Sequence, residues 1–323
     1  MGNLTVALLG VQGYGNCLGK KGTATDITLY NLKKGDDTVT LIEPTRYPER
    51  LAPLFYAASL AEKAVIVVDE LNATFGECLI MLKCTGVEGG YVVLRNCLTK
   101  EKIEPLIKST SLEKFEFTED NPALLKEKLL NEAALLNHTQ KQECPETSGT
   151  VPVDHSFNVK GVGAVILGVV KGGAIGKHDT MKVLPGTKTA QIRSVQKHDD
   201  EFDSANEGDR VGLALKNIEV EDLERGTVLT NDATIKSTKS VKAQAVLVKY
   251  WQAPMKSEMV IHLGHWMQFI PARIEAIADA EDWRKPFLTL NLEKELVYRP
   301  GDRAVVSHLE GGKLRVAGTL ELL

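Results

Sequence analysis

The stretch VDHSFNVKGVGAVILGVVKGGAIGKHDTMKVLPGTKTAQIRSVQKHDDEF, residues 153–202, carries no helical periodicity. Short β-branched and apolar pieces alternate with Gly, Pro and Asp, which is how short strands wound into a barrel read. Gly161, Gly163 and Gly168 stand where a tight barrel must turn a corner. Gly176 and Asp179 mark a turn before a strand expected at Met181–Leu184, and Gly208-Asp209 lead into another at Val211–Leu215.

Downstream the texture persists and echoes itself. VLPGTKTAQIRSV (183–195) is followed by EGDRVGLAL (207–215), and IHLGHWMQFIPARIEAI (261–277) by PGDRAVVSHL (300–309). Two similar β-barrels in tandem explain the echo; coincidence is the alternative, because Gly-Asp is a common turn dipeptide.

Upstream the pattern differs. Apolar runs at Val6–Leu9, Thr38–Ile42, Val65–Val68 and Tyr91–Leu94 read as buried parallel strands. Helical patterns lie between and after them, at Pro48–Glu62, Thr74–Lys83, Lys100–Ile107 and Pro122–Leu136. Strands alternating with helices imply a doubly wound α/β unit. Thr139–Thr150 is polar, with Pro145 and Gly149, and reads as a linker. The chain thus divides into 1–138 (α/β), 139–150 (linker), 151–233 (barrel) and 234–323 (barrel).

The totals narrow the classes. A length of 323 residues with 43% hydrophobic residues suits two or three domains with ordinary cores. A net charge of −4 excludes a chain coated with basic residues and leaves room for a local nucleic-acid site. No apolar run reaches about 18 residues, and MGNLTVALLG has no basic lead-in, so neither a membrane span nor a signal peptide is expected. Cys17, Cys78, Cys84, Cys97 and Cys144 form no C-x-x-C pair, so no disulfide framework or metal site is expected, and the compartment is read as the reduced cytoplasm; no cofactor is expected either. His262 and His265, three apart on an expected strand, point to opposite faces and share no metal. Trp251, Trp266 and Trp283 are assigned to the core.

Residues 151–230, from the quoted stretch through EGDRVGLALKNIEVEDLERGTVLT, resemble the second domain of translational GTPases almost without gaps. Residues 240–323 resemble the third domain more loosely. Asp154, His155 and Phe157 with Gly208-Asp209-Arg210 make the likeness nearer to selenocysteine-specific elongation factors than to elongation factor Tu. The resemblance implies a P-loop-GTPase-like first domain followed by the two barrels.

In that family a G-x-x-x-x-G-K-[ST] loop cradles phosphates, its Lys neutralising them and its hydroxyl holding magnesium. Here Gly10 and Gly15 keep the spacing, but Asn16 replaces the Lys and Cys17 the hydroxyl. Lys20 and Lys21 do not restore the motif by a register shift, because Tyr14 then stands in the glycine position. The Asp-x-x-Gly-His signal aligns with Glu43, Pro44, Thr45, Arg46 and Tyr47. Glu43 keeps a charge, but Arg46 replaces the glycine that meets the γ-phosphate and Tyr47 the histidine that orients water. The guanine-reading Asn-Lys-x-Asp aligns with Leu94, Arg95, Asn96 and Cys97, without its carboxylate. The short stretch between Gly10 and Glu43 implies a trimmed switch I. Three separate losses imply a pseudo-GTPase with no catalytic residues; residual phosphate binding by the glycines is the alternative.

The resemblance also places an aminoacyl pocket at Asp154, His155 and Arg210, with Gln196 where a Glu stacks near the terminal adenosine and His198 two residues on. A carboxylate there would receive an α-ammonium, and His and Arg would suit an anionic side chain. Each residue has a plainer use: Asp154 as a turn cap, His155 as a surface residue, Arg210 as a partner of Asp209. Residues 236–323 hold 13 Lys and Arg against 10 Asp and Glu, and 151–235 hold 10 against 13. A slightly basic third barrel is compatible with RNA phosphates. The expectation is a nucleotide-independent elongation-factor paralogue binding tRNA or aminoacyl-tRNA, without the extra C-terminal domain of selenocysteine decoding. The rivals are a divergent active GTPase and a scaffold contacting the ribosome or an aminoacyl-tRNA synthetase.

Overall fold

The computed structural model describes residues 2–108, 110–139, 148–198, 200–278, 281–310, 312 and 314–323. Most of the expected linker, 140–147 with Cys144, lies outside them.

The N-terminal sheet has seven strands: β1 (Asn3–Gly10), β2 (Lys20–Ala24), β3 (Thr28–Lys34), β4 (Asp37–Glu43), β5 (Lys63–Val68), β6 (Gly90–Leu94) and β7 (Glu116–Thr118), in the order β2-β3-β4-β1-β5-β6-β7. The four apolar runs are β1, β4, β5 and β6, and they pair in parallel. β4 also pairs antiparallel with β3, so the sheet is mixed. Among the described residues, five α-helices accompany it: α1 (Gly15–Leu18), α2 (Ala52–Leu60), α3 (Ala73–Thr85), α4 (Lys100–Ile107) and α5 (Pro122–Thr139). Period-two alternation gives β1 two apolar faces. Leu4, Val6 and Leu8 pack with Leu125, Leu129 and Ala133 of α5, while Ala7 and Leu9 pack with α2 and α3.

The helix expected from Pro48 begins only at Ala52. Pro53 sets this limit, because a helix already running at 49 would need the N–H that Pro53 lacks; proline fits the first turn only. Asn72 caps α3, its side chain accepting from the Phe75 amide at 3.0 Å, and left-handed Gly86 ends it at φ 79°.

Both barrels are present. The first uses β8 (Thr150–Val159), β9 (Gly163–Val169), β11 (Thr180–Leu184), β12 (Lys188–Lys197), β15 (Arg210–Lys216) and β16 (Val228–Thr230). It runs β11-β16-β8-β9-β15-β12 and closes by the β11–β12 pairing. β13 (Asp200–Phe202) extends it beyond β12, and β10 (Ala174–Gly176) pairs with β14 (Ser204–Asn206) in a separate two-stranded sheet. The second barrel closes as β17 (Lys236–Leu247), β20 (Phe287–Tyr298), β19 (Gln268–Ala278), β18 (Val260–His265), β21 (Arg303–Ser307) and β22 (Val316–Glu321). The sequence echo does not map onto equivalent places. β15 pairs with β12, the second strand of its hairpin, whereas β21 pairs with β18, the first strand of the other. The echo is therefore local turn chemistry.

Gly161 and Gly163 occupy the β8–β9 turn at positive φ. Gly168 serves close approach instead, since a Cβ there would lie 2.4 Å from the Pro152 carbonyl oxygen. His262 stacks on Phe269, while His265 bonds the Val297 carbonyl oxygen and Asp302. Trp251 and Trp266 are buried, and Trp283 packs against the second-barrel core.

The sheet and the barrels share a core. Phe55 of α2 lies against Gly264 of β18, where a Cβ would meet its ring at 2.6 Å, and against Phe269, with ring centroids 5.7 Å apart. Met267, Val305 and Val316 join the same cluster. Among the described residues no helix is long and apolar enough to cross a membrane.

Candidate functional site

The loop after β1 begins where two backbones nearly touch. A Cβ on Gly10 would lie 1.9 Å from the Val67 carbonyl oxygen, so only glycine passes. Gly15 lies against the Tyr30 ring, where a Cβ would meet it at 2.3 Å. Asn16 turns its amide onto the Gly13 carbonyl oxygen at 2.9 Å, and the Cys17 thiol is exposed. Glu43 is buried at the end of β4 and accepts the Tyr30 hydroxyl at 3.0 Å. Burial and the Glu43 charge push that phenol up to about 12.

The segment after Glu43 is tied in three directions. The Gln12 amide donates to the carbonyl oxygens of Thr45 and Tyr47. The Arg46 amide donates to the Asp26 carbonyl oxygen at 3.2 Å. Tyr47 is buried, and its hydroxyl donates to the Thr74 carbonyl oxygen and to Glu77, each at 3.0 Å. Burial, with Cys78 and Glu77 beside it, raises that phenol far above its ordinary range. Arg315, just before β22, pairs with Glu77 at 2.5 Å and donates to the Pro48 carbonyl oxygen at 3.0 Å. Tyr47 thus belongs to a latch between the sheet and the second barrel. Arg95 pairs with Asp120 at 3.0 Å, and Asp120 also accepts the Tyr14 hydroxyl at 2.8 Å. Cys97 is exposed in a left-handed turn at φ 59°.

Between β2–β3 and the first barrel lies a cleft of about 1170 Å³. Lys20, Lys21 and Lys33 line one wall; Lys177, Arg193 and Arg210 line the other, with Glu201 as the carboxylate among the lining residues. Lys33 pairs with Asp200 and Lys177 with Asp203 at the rim, which tempers the positive field. Phe157 and Val162, each 38% exposed, add apolar surface. Gln196 and His198 also line the cleft. His198 reaches it from a left-handed turn past the end of β12, φ 47°, and not by strand alternation.

The structure brings Asp154, His155 and Arg210 together, in roles unlike those expected. Arg210 grips the Asp154 carboxylate with both terminal nitrogens, at 2.7 and 3.1 Å, and the His155 ring holds it at 2.6 Å. The Asp154 side chain is 0% exposed. Burial alone would raise its pKa, but the Arg210 charge and the His155 hydrogen bond hold it well below the carboxylate range. As placed, this carboxylate presents no face to an α-ammonium. His155 is buried and its other nitrogen lies 3.2 Å from the Thr25 hydroxyl. Arg210 pairs with Asp154, while Asp209 pairs with Lys197.

Sequence reasoning missed Gln12, Tyr30, Glu77, Arg315, Asp26 and Arg225. Their partners lie far away along the chain, so no local pattern marks them. The Lys20-Lys21 doublet is visible in the sequence, but nothing local ties it to the cleft wall that it lines. Among the described residues, no group of three or more His, Cys, Asp or Glu is placed to hold a metal.

Comparisons with known proteins agree with this architecture. A family profile for elongation factor Tu domain 2 matches residues 163–230. An uncharacterized protein of Methanocaldococcus jannaschii is 37% identical, with 100% of each chain covered. The selenocysteine-specific elongation factor of the same organism is 23% identical over 94% of this chain and 72% of its own length. The crystal structure of translation elongation factor SelB from Methanococcus maripaludis, in complex with the GTP analogue GppNHp, covers 99% of this chain and 79% of its own. It gives a TM-score of 0.81 at 21% identity, a likeness of fold.

Proposed function

The chain belongs to the translational GTPase superfamily as an elongation-factor-like translation protein, and from that premise we propose that it holds the 3′ end of a tRNA without binding or hydrolysing GTP. One observation carries the reading: the cleft presents cations, while Asn16, Glu43 and Tyr47 of the nucleotide loops hydrogen-bond within the protein. The donor set at those loops does not suit a nucleotide with magnesium. Asn16 offers an amide bonded to Gly13, Cys17 offers a thiol in place of a hard oxygen ligand, and Glu43, with one oxygen accepting Tyr30, leaves a single buried carboxylate oxygen among them. In the cleft, Lys20, Lys21 and Arg193 meet phosphates, Gln196 and His198 lie beside the terminal nucleotide, and Arg210 is held behind them by Asp154. The whole acts in the cytoplasm as three units, 1–138, 151–233 and 234–323, with 139–150 linking the first to the second.

Retention of labelled aminoacyl-tRNA, with uncharged tRNA as control, tests this. A complex that weakens steeply with salt and slows hydrolysis of the ester supports it. No complex at low salt and no ester protection would sink it.

A second reading, a scaffold for a ribosomal or synthetase partner, has its own observation. Exposed Val246, Tyr250, Phe287 and Leu323 surround a largely apolar cavity of about 580 Å³ between α3 and the second barrel. Tyr250→Asp would separate the two: a scaffold loses its partner, whereas tRNA retention is unchanged.

A further inference from the structure

In the loop joining β2 to β3, Thr25 and Asp26 meet Arg225, which sits in the turn before β16. The Arg225 guanidinium gives one terminal nitrogen to both Asp26 oxygens, at 2.7 and 2.8 Å, and the other to the Thr25 hydroxyl at 3.2 Å. Its Nε donates to the Asp154 carbonyl oxygen at 3.1 Å, and its plane lies 4.8 Å over the Tyr56 ring of α2. One side chain therefore joins the β2–β3 wall, a helix of the first sheet and the barrel strand carrying Asp154. A planar, always-charged fork suits such a junction better than a lysine would.

The contacts continue in both directions. Toward the barrel, the Asp154 carboxylate holds Arg210 in the cleft wall. Toward the sheet, the Asp26 carbonyl oxygen accepts the Arg46 amide, and Gln12 fastens the flanking Thr45 and Tyr47 carbonyl oxygens to the loop after β1. An unbroken series of side-chain and backbone bonds thus runs from that loop to the cleft. Burial of the Asp26 carboxyl would raise its pKa, but the hydrogen bond and charge of Arg225 lower it, so the carboxylate stays ionised at neutral pH.

We infer that Arg225 is the positioning residue that sets the two cleft walls against each other, so that the protein itself, and not a bound nucleotide, orders the cleft for RNA. The inference rests on the proposed RNA-binding function, but its test has an arm that needs no RNA.

Amide hydrogen exchange over residues 20–31 and 154–159 is measured for the full chain, alone and with GTP or GDP, and for Arg225→Ala, Asp26→Asn and the charge swap Asp26→Arg with Arg225→Asp. Affinity for labelled aminoacyl-tRNA is measured on the same proteins. Wild type is expected to be protected in 20–31 without nucleotide and unchanged by adding it. Arg225→Ala and Asp26→Asn should speed exchange there, leave β17–β22 unchanged and weaken tRNA binding by about tenfold, a usual size for coupling between linked sites. The swap should recover part of both. Asp26→Asn leaves the barrel chain untouched and keeps the test open if Arg225→Ala folds poorly. Unchanged exchange in both single variants, or protection that appears only with GTP, overturns the inference. If wild type binds no tRNA under any nucleotide condition, the proposed function fails, and the exchange arm still decides what Arg225 does.

Discussion

The loop after β1 and the face of the first barrel use their polar groups in opposite ways. Around the loop, Asn16 bonds the Gly13 carbonyl oxygen, Glu43 accepts Tyr30 through one of its two oxygens, and Tyr47 donates to Glu77 and the Thr74 carbonyl oxygen. Along the cleft, Lys20, Lys21 and Arg193 are exposed and line open volume. A polar group satisfied inside the protein stabilises the fold and has little left for a ligand; an exposed cation costs the fold little and stays available. Under the proposed function, the difference separates loops whose side chains serve the fold from a face whose cations serve binding.

The largest effects should fall where buried charges would lose a partner. Arg210→Ala leaves Asp154 buried without its main counter-charge, and about 4 kcal/mol of stability should be lost in urea unfolding. The same variant tests the acid side. The folded-state pKa of Asp154 is depressed, so its contribution is complete above the unfolded carboxylate value near 4 and is lost as pH falls through the lower folded value. Arg210→Ala should therefore shift acid unfolding to higher pH, and an unshifted midpoint would contradict the buried pairing. Arg315→Ala strands Glu77 and should cost about 3 kcal/mol by the same measurement, although it lies nowhere near the cleft. A loss under 1 kcal/mol would mean that the Tyr47 segment is not latched.

Smaller effects sharpen the contrast. Tyr30→Phe removes the bond to Glu43 and should cost about 1 kcal/mol with no change in tRNA affinity. Lys20→Ala with Lys21→Ala should give the reverse: stability within about 0.5 kcal/mol of wild type and tRNA affinity lower by about tenfold at moderate salt. The smallest effect is expected from Asn16→Lys with Cys17→Ser. Calorimetry should still detect no GTP binding, because Arg46 and the Tyr30–Glu43 bond remain. Micromolar binding by this variant would show the loop to be two substitutions from function and not rebuilt.

The fold was legible where burial is continuous. β1, β4, β5 and β6 stand out because both their faces meet core, giving runs rich in apolar and β-branched residues. β2 and β7 did not, because their mostly exposed or half-buried residues leave no apolar run. Gln196, His198 and Arg210, named through resemblance, line the cleft, but the use of Asp154 was not legible. Its carboxylate is claimed by Arg210, 56 residues away, and Thr25–Asp26 reach the same network through Arg225, about 200 residues away. Such pairs leave no periodic trace; only the folded chain brings them together.

The most direct test of nucleotide independence is the dissociation constant of one labelled aminoacyl-tRNA, measured in nucleotide-free protein and again with saturating GTP and GDP. The expected result is the same value within about twofold in all three. Binding that appears only with GTP, or tightens with it by about tenfold or more, would contradict it.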